Sequence, residues 1–201
     1  MSEANGIVAP TRLWTRAEVL ATPSPTPREP GVYGWYFKSI PPGVPTDGCI
    51  RRDGLTLLYA GISPKAPPKN GRPPSKQRLH GRIRYHYRGN AEGSTLRLTL
   101  GVLLSNQLGI ALRRVGSGKR MTFLHEGEKR LSQWMGDNAR VTWVIHPEPW
   151  VLEAKTIRNL SLPLNLDQNE GHAFHPVLSS MRKAAKANAK TKPTVVEPRV
   201  R

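Results

Sequence analysis

Gly31-Val32-Tyr33-Gly34-Trp35-Tyr36-Phe37 and Leu55-Thr56-Leu57-Leu58-Tyr59-Ala60 are the two stretches on which the fold turns. Both are rich in aromatic and branched side chains, which suit a pleated, buried surface, so both read as β-strands. Between them, Pro41-Pro42-Gly43-Val44-Pro45-Thr46-Asp47-Gly48 can sustain neither strand nor helix. The two strands are therefore expected to form a hairpin with a long, irregular loop.

Downstream the period changes. Residues 63–75 form a Pro/Lys-rich loop, and from 75 to 87 the residues Leu79, Ile83 and Tyr87 recur every four positions, one buried stripe of a helix that Gly89 can stop. Two more helical stretches, 94–108 and 125–138, flank the flexible Gly116-Ser117-Gly118 and constitute a helical insertion over about 94–138. Val141-Thr142-Trp143-Val144-Ile145 reads as a third strand ended by Pro147, followed by a helix over about 149–160. A polar loop at 167–171 precedes a basic helix over 176–189, and the last dozen residues are expected to be disordered. Upstream, residues 1–30 read as an arm with a short helix from Leu13-Trp14 to Leu20 and the proline-rich linker Thr22-Pro23-Ser24-Pro25-Thr26-Pro27. The expected architecture is α/β (α+β): a small three-stranded antiparallel sheet flanked by helices over 31–166, with the basic helix and tail at 167–201.

Composition sets limits on function. The 201 residues suffice for one domain with extensions, and 18 Gly with 19 Pro leave part of the chain irregular. A formal charge of +17, from 31 Lys and Arg against 14 Asp and Glu, makes a polyanion the leading partner. Cys49 is the single cysteine, which excludes an internal disulfide and a cysteine-built zinc site and fits a reducing compartment. No apolar run has the length of a membrane span and no secretory pattern opens the chain, so the expected location is the cytoplasm, with no membrane contact.

Several residues carry chemical information. In the 149–160 helix, Trp150, Glu153, Ile157 and Leu160 share a face, so Glu153 is expected to point inward, where an unpartnered carboxylate costs several kcal/mol and calls for a cation, a proton or an arginine. In the 75–87 helix, Arg82 and His86 lie four apart beside the apolar stripe. The Arg82 fork of donors suits a phosphate. Tyr33 and Tyr59 sit on the two strands where each phenol can reach a common cleft, although buried strand tyrosines are often core residues.

Taken in order, these residues resemble the GIY-YIG nuclease family: Gly31-Val32-Tyr33 stands for the first motif and Tyr59-Ala60-Gly61 for the second. Arg82 follows in Leu79-His80-Gly81-Arg82-Ile83, then Glu153, then Asn165, and His86 resembles a histidine carried by some restriction-enzyme members. The departures are Val32 and Ala60 where the pattern has isoleucine, and the insertion between Arg82 and Glu153. The resemblance, over 31–166, implies an endonuclease hydrolysing phosphodiester bonds in DNA. It implies Mg²⁺ (or Mn²⁺) on Glu153, Tyr33 or Tyr59 as the base that activates water, His86 as proton relay, Arg82 on the phosphate, and Asn165 orienting a phosphate or the glutamate.

Basic side chains extend that picture. Arg72, Lys76, Arg78, Arg82, Arg84 and Arg88 fall in a stretch with no acid, with Tyr85 interleaved as a candidate for stacking on bases, and Arg182, Lys183 and Lys186 mark a second basic set on the C-terminal helix. DNA is the expected partner, RNA the alternative, and a homodimer would let a one-site enzyme cut both strands. A stand-alone enzyme of restriction or mobile-element type is the leading expectation. A non-catalytic nucleic-acid-binding protein on the same scaffold is the rival. Gly116-Ser117-Gly118-Lys119 lacks the spacing of a phosphate-binding loop, and His172 with His175 lacks a matching set of metal ligands.

Overall fold

A computed structural model describes residues 5–68, 70, 73 and 75–197. In chain order its elements are α1 (Asn5–Val8), α2 (Arg16–Leu20), β1 (Gly31–Phe37), β2 (Arg51–Arg52), β3 (Leu55–Ser63), α3 (Leu79–Arg88), α4 (Thr95–Leu103), α5 (Ser105–Leu108), β4 (Arg113–Val115), β5 (Arg120–Thr122), α6 (Leu124–Asn138), β6 (Ala139–Ile145), α7 (Pro149–Asn159) and α8 (His175–Thr191).

The main sheet is antiparallel in the order β2-β3-β1-β6. It has four strands where the sequence indicates three, because Arg51 and Arg52 in the long hairpin loop pair with Thr56 and Leu55. So short a strand has no periodicity to read. Every residue of β1 is buried, and alternation explains why. Tyr33, Trp35 and Phe37 belong to a core shared with α3, α4 and α6, while Val32 and Tyr36 belong to a second core with Ile7, Leu152 and Ile157. A strand with helices on both faces reads as one continuous apolar run, which is what 31–37 is.

The register places the motif residues. Tyr33 pairs with Gly61 and Trp35 with Tyr59, so Tyr33 and Tyr59 are diagonal neighbours on one face. A bulge opposite the Trp35/Tyr36 step leaves Leu58 as the extra residue, and Leu58 and Tyr59 both join the larger core.

Three expectations need correction. The 94–138 insertion is not wholly helical: Gly116 and Gly118, with φ of 60° and 82°, make the turn of the hairpin β4-β5. Residues 1–30 are not a loose arm in their described part. Trp14 exchanges two backbone hydrogen bonds with Val141, covering the edge of β6, and the carbonyl of Ile7 accepts from the Tyr36 hydroxyl at 2.6 Å. The tail is not disordered as far as residue 197, since Val195 donates to the Arg114 carbonyl and accepts from Gly116 N–H. Backbone pairing of this kind needs no particular side chain, so composition hides it. Residues 198–201 lie outside the described residues.

Within the insertion, Arg97 is fully buried and bonds Glu128 at 2.6 and 3.0 Å, the Ser132 hydroxyl, and the carbonyls of His86 and Glu128. Glu128 Oε1 accepts from the N–H groups of Ala91 and Phe123. This satisfied pair ties α3, α4 and α6 into one body behind the sheet.

Candidate active site

Two glycines explain why the motif strands approach so closely. A Cβ on Gly61 would lie 2.7 Å from the Tyr33 hydroxyl, so the Tyr33 ring lies across the glycine that opposes it. A Cβ on Gly31 would lie 2.2 Å from the Val144 carbonyl oxygen, so β1 reaches β6 only without a side chain there.

Tyr33 is buried and its hydroxyl is held from two sides. Nε2 of His86 lies 2.8 Å away, and Arg82 Nε donates to the same oxygen at 3.3 Å. His86 is fully buried, and its Nδ1 lies 2.7 Å from the Ser94 hydroxyl, which also caps α4 by accepting from Arg97 N–H. Burial, and after it the charges of Arg82 and Arg97, hold the His86 pKa well below its ordinary value, so the ring is neutral. Burial likewise raises the Tyr33 pKa, with Tyr59 adding to the effect. Arg82 is anchored by Nη1 on the Gly93 carbonyl at 2.8 Å.

Tyr33 and Arg82 form part of the wall of a cleft of about 470 Å³ that Tyr59, Glu153, Asn165, Asp167 and Arg182 also line. Tyr59 makes a long contact of 3.4 Å with Thr95 Oγ1, and burial raises its pKa. Glu153 does not sit in the middle of the inward face of α7. The buried stripe is Pro149, Leu152, Thr156 and Ile157, and Glu153 lies at its margin, facing the cleft. Periodicity misplaces the stripe because Thr156 looks polar, yet it is buried by donating its hydroxyl to the Leu152 carbonyl at 2.7 Å. Glu153 is half-buried, enters no ion pair among the described residues, and accepts a 3.4 Å bond from Gln168. Burial pushes its pKa up to about 7, with the Gln168 bond opposing and Asp167 reinforcing the rise.

Asn165 is in the cleft wall with a different task from the expected one. Its Oδ1 accepts from Ala60 N–H and its Nδ2 donates to the Ala60 carbonyl, both at 2.9 Å. The side chain thus acts as a strand partner for β3 at the second motif, and no phosphate is needed to satisfy it.

The basic residues divide. Lys76, Arg88, Lys183 and Lys186 are exposed, and the Arg78 guanidinium donates to the adjacent Gln77 carbonyl. Arg84 donates to the Val19 carbonyl at 2.7 Å and so holds the N-terminal segment, and Tyr85 packs against Gly89 and Gly93 with its hydroxyl donating to Asn90 Oδ1. Arg72 lies outside the described residues. Ser94 and Asp167 were missed in the sequence. Ser94 carries the signature of a cap before an apolar helix, whereas Asp167 has none.

Tyr33, Tyr59, Arg82, Arg182 and Glu153 thus line one cleft beside β1 and β3. The family described as GIY-YIG catalytic domain matches residues 31–185, and the chain belongs to that nuclease family. Neither the curated proteins nor the solved structures gave a match. No described helix is long and apolar enough to cross a membrane.

A divalent cation is implied by the family, and the donors fit one. Glu153 offers hard oxygen without a competing ion pair, and Asp167 lies close enough to raise its pKa. A hard cation of the Mg²⁺ type takes one or two carboxylates and keeps several waters, so Glu153 with Asp167 nearby is a donor set that fits it.

Proposed function

We propose that this chain is a divalent-metal-dependent endonuclease that hydrolyses phosphodiester bonds in DNA. The observation that carries the reading is the Tyr33 hydroxyl, fixed between His86 and Arg82 at the wall of a cleft whose other side bears an unpaired, half-buried Glu153. Mere binding of nucleic acid needs positive charge and has no use for such a carboxylate.

Tyr33 is the better candidate than Tyr59 for activating water, because an imidazole nitrogen lies 2.8 Å behind Tyr33 whereas Tyr59 has a hydroxyl at 3.4 Å. With the Nδ1 proton of His86 donated to Ser94, Nε2 is open to the Tyr33 proton, and Tyr33 can then take a proton from water. The charge on Arg82 depresses the basicity of His86, so a phosphate anion beside Arg82 offsets that field and eases the transfer. Arg82 also balances charge that grows on the phosphoryl oxygens. Glu153 would hold Mg²⁺, or Mn²⁺ in its place, which when bound stabilises the leaving oxygen. His86 does not line the cleft and acts through Tyr33, as a positioning residue.

The test is incubation of the purified chain with supercoiled plasmid at low salt, with Mg²⁺ or with chelator, beside Glu153→Gln checked for folding and DNA binding. Nicking or linearisation that needs both Mg²⁺ and Glu153 supports the reading, and discrete bands mark a sequence-specific enzyme of restriction type. Tight binding with DNA and RNA left intact makes the chain a binding protein.

A further inference from the structure

Two arginines line the cleft, and their surroundings differ. Arg82 is committed to Tyr33 and to the Gly93 carbonyl. Arg182 projects into the cleft from α8 and is half-buried, yet it donates no hydrogen bond and enters no ion pair among the described residues. Its neighbours on the helix, Lys183 and Lys186, are exposed, so it is set apart from the basic face to which its sequence position assigns it. Taking a guanidinium partly out of water without giving its fork of donors a partner is unfavourable, and it is tolerated where a ligand completes the site.

Asp167 and Tyr59 lie within electrostatic reach of Arg182, and Asp167 eases the burial of the charge without pairing to it. The acidic partner is therefore close enough to keep the side chain in the cleft and leaves its donors available.

We infer that Arg182 binds a second phosphodiester of the substrate strand, next to the one held at Arg82 and Tyr33. The inference rests on the proposed phosphodiester chemistry of this cleft, and it adds a requirement: the substrate must carry at least one linkage beyond the one cut. An Arg–phosphate contact is bidentate and charge-assisted, so its loss is expected to weaken binding by about tenfold to a hundredfold.

The experiment is competition in chelator, with a fluorescent single-stranded DNA oligonucleotide displaced by a dinucleotide carrying one phosphodiester or a trinucleotide carrying two. The full chain, Arg182→Ala and Arg182→Lys are compared at several salt concentrations. The trinucleotide is expected to compete at least about tenfold better than the dinucleotide against the full chain. Arg182→Ala should lose most of that advantage, Arg182→Lys should keep part of it, and Arg182→Ala should reduce the salt slope for the oligonucleotide by about one. A trinucleotide no better than the dinucleotide against the full chain, or a full advantage surviving in Arg182→Ala, overturns the inference. Because the readout is binding without metal, a chain that fails to cut plasmid but shows the Arg182-dependent advantage retains this phosphate site and loses the nuclease reading.

Discussion

The hydroxyl of Tyr33 lies 2.8 Å from Nε2 of His86, with both side chains buried, although β1 and α3 are separated by the whole hairpin and its loops. In the proposed reaction this bond is the inward route for the phenol proton. Tyr33→Phe is expected to lower the single-turnover cleavage rate by about a hundredfold or more, the scale of lost acid–base catalysis. It should cost about 1–3 kcal/mol of stability through the unpaired His86 nitrogen. A variant that retains more than about a tenth of the wild-type rate would assign the base to another group, with Tyr59→Phe the next to measure.

Gly61→Ala tests the same phenol from the opposite strand. The added Cβ would lie 2.7 Å from the Tyr33 hydroxyl and 2.8 Å from its ring, and the ring cannot swing away freely because His86 and Arg82 hold its oxygen. The substitution should displace Tyr33 and cut the rate by about a hundredfold, the cost of an ångström-scale misplacement in an active site. Doubling it with Tyr33→Phe should add little further loss, since both act on one group. Independent, multiplying losses would mean that Gly61 matters for some reason other than the tyrosine.

How much of this was legible in the sequence follows from which physical signals leave a local trace. The aromatic and branched composition of 31–37 and the four-residue recurrence of Leu79, Ile83 and Tyr87 place Tyr33, Arg82 and His86 on the correct elements, because residue type and burial follow the geometry of each element. The bulge at Leu58, the docking of Val195 on Arg114 and the Arg97–Glu128 pair left no such trace. They depend on backbone pairing or on partners far apart in the chain. Glu153 was found through a stripe drawn one position off its true centre, and it still faces the cleft because a margin residue borders both core and solvent.

Asn165 separates the role implied by resemblance from the one its contacts define. Its amide completes two hydrogen bonds to Ala60, so Asn165→Asp removes a donor and sets a carboxylate oxygen against the Ala60 carbonyl. The expected result is destabilisation of about 1–3 kcal/mol, seen as a lower melting temperature at pH 8 that recovers partly at low pH, where a protonated Asp can donate again. An unchanged melting curve with lost activity would return Asn165 to the substrate.

Glu153 makes a prediction of opposite sign to the usual carboxylate. Its folded pKa is raised from 4.5 to about 7, so the folded chain binds more protons than the unfolded chain between these values, and the ionised side chain costs stability as pH rises through that window. Discounted for its partial exposure, the shift corresponds to about 1–3 kcal/mol. Glu153→Gln should therefore melt higher than the wild type above pH 8 without metal, by roughly 2–8 °C, and the difference should close below pH 4.5. Adding Mg²⁺ or Mn²⁺ should raise the wild-type melting temperature alone, since an ion that binds only the folded carboxylate stabilises it by mass action. If Glu153→Gln instead melts lower at pH 8 without metal, the carboxylate has a stabilising partner inside the protein, and the cleft lacks the vacant oxygen donor that a divalent cation requires.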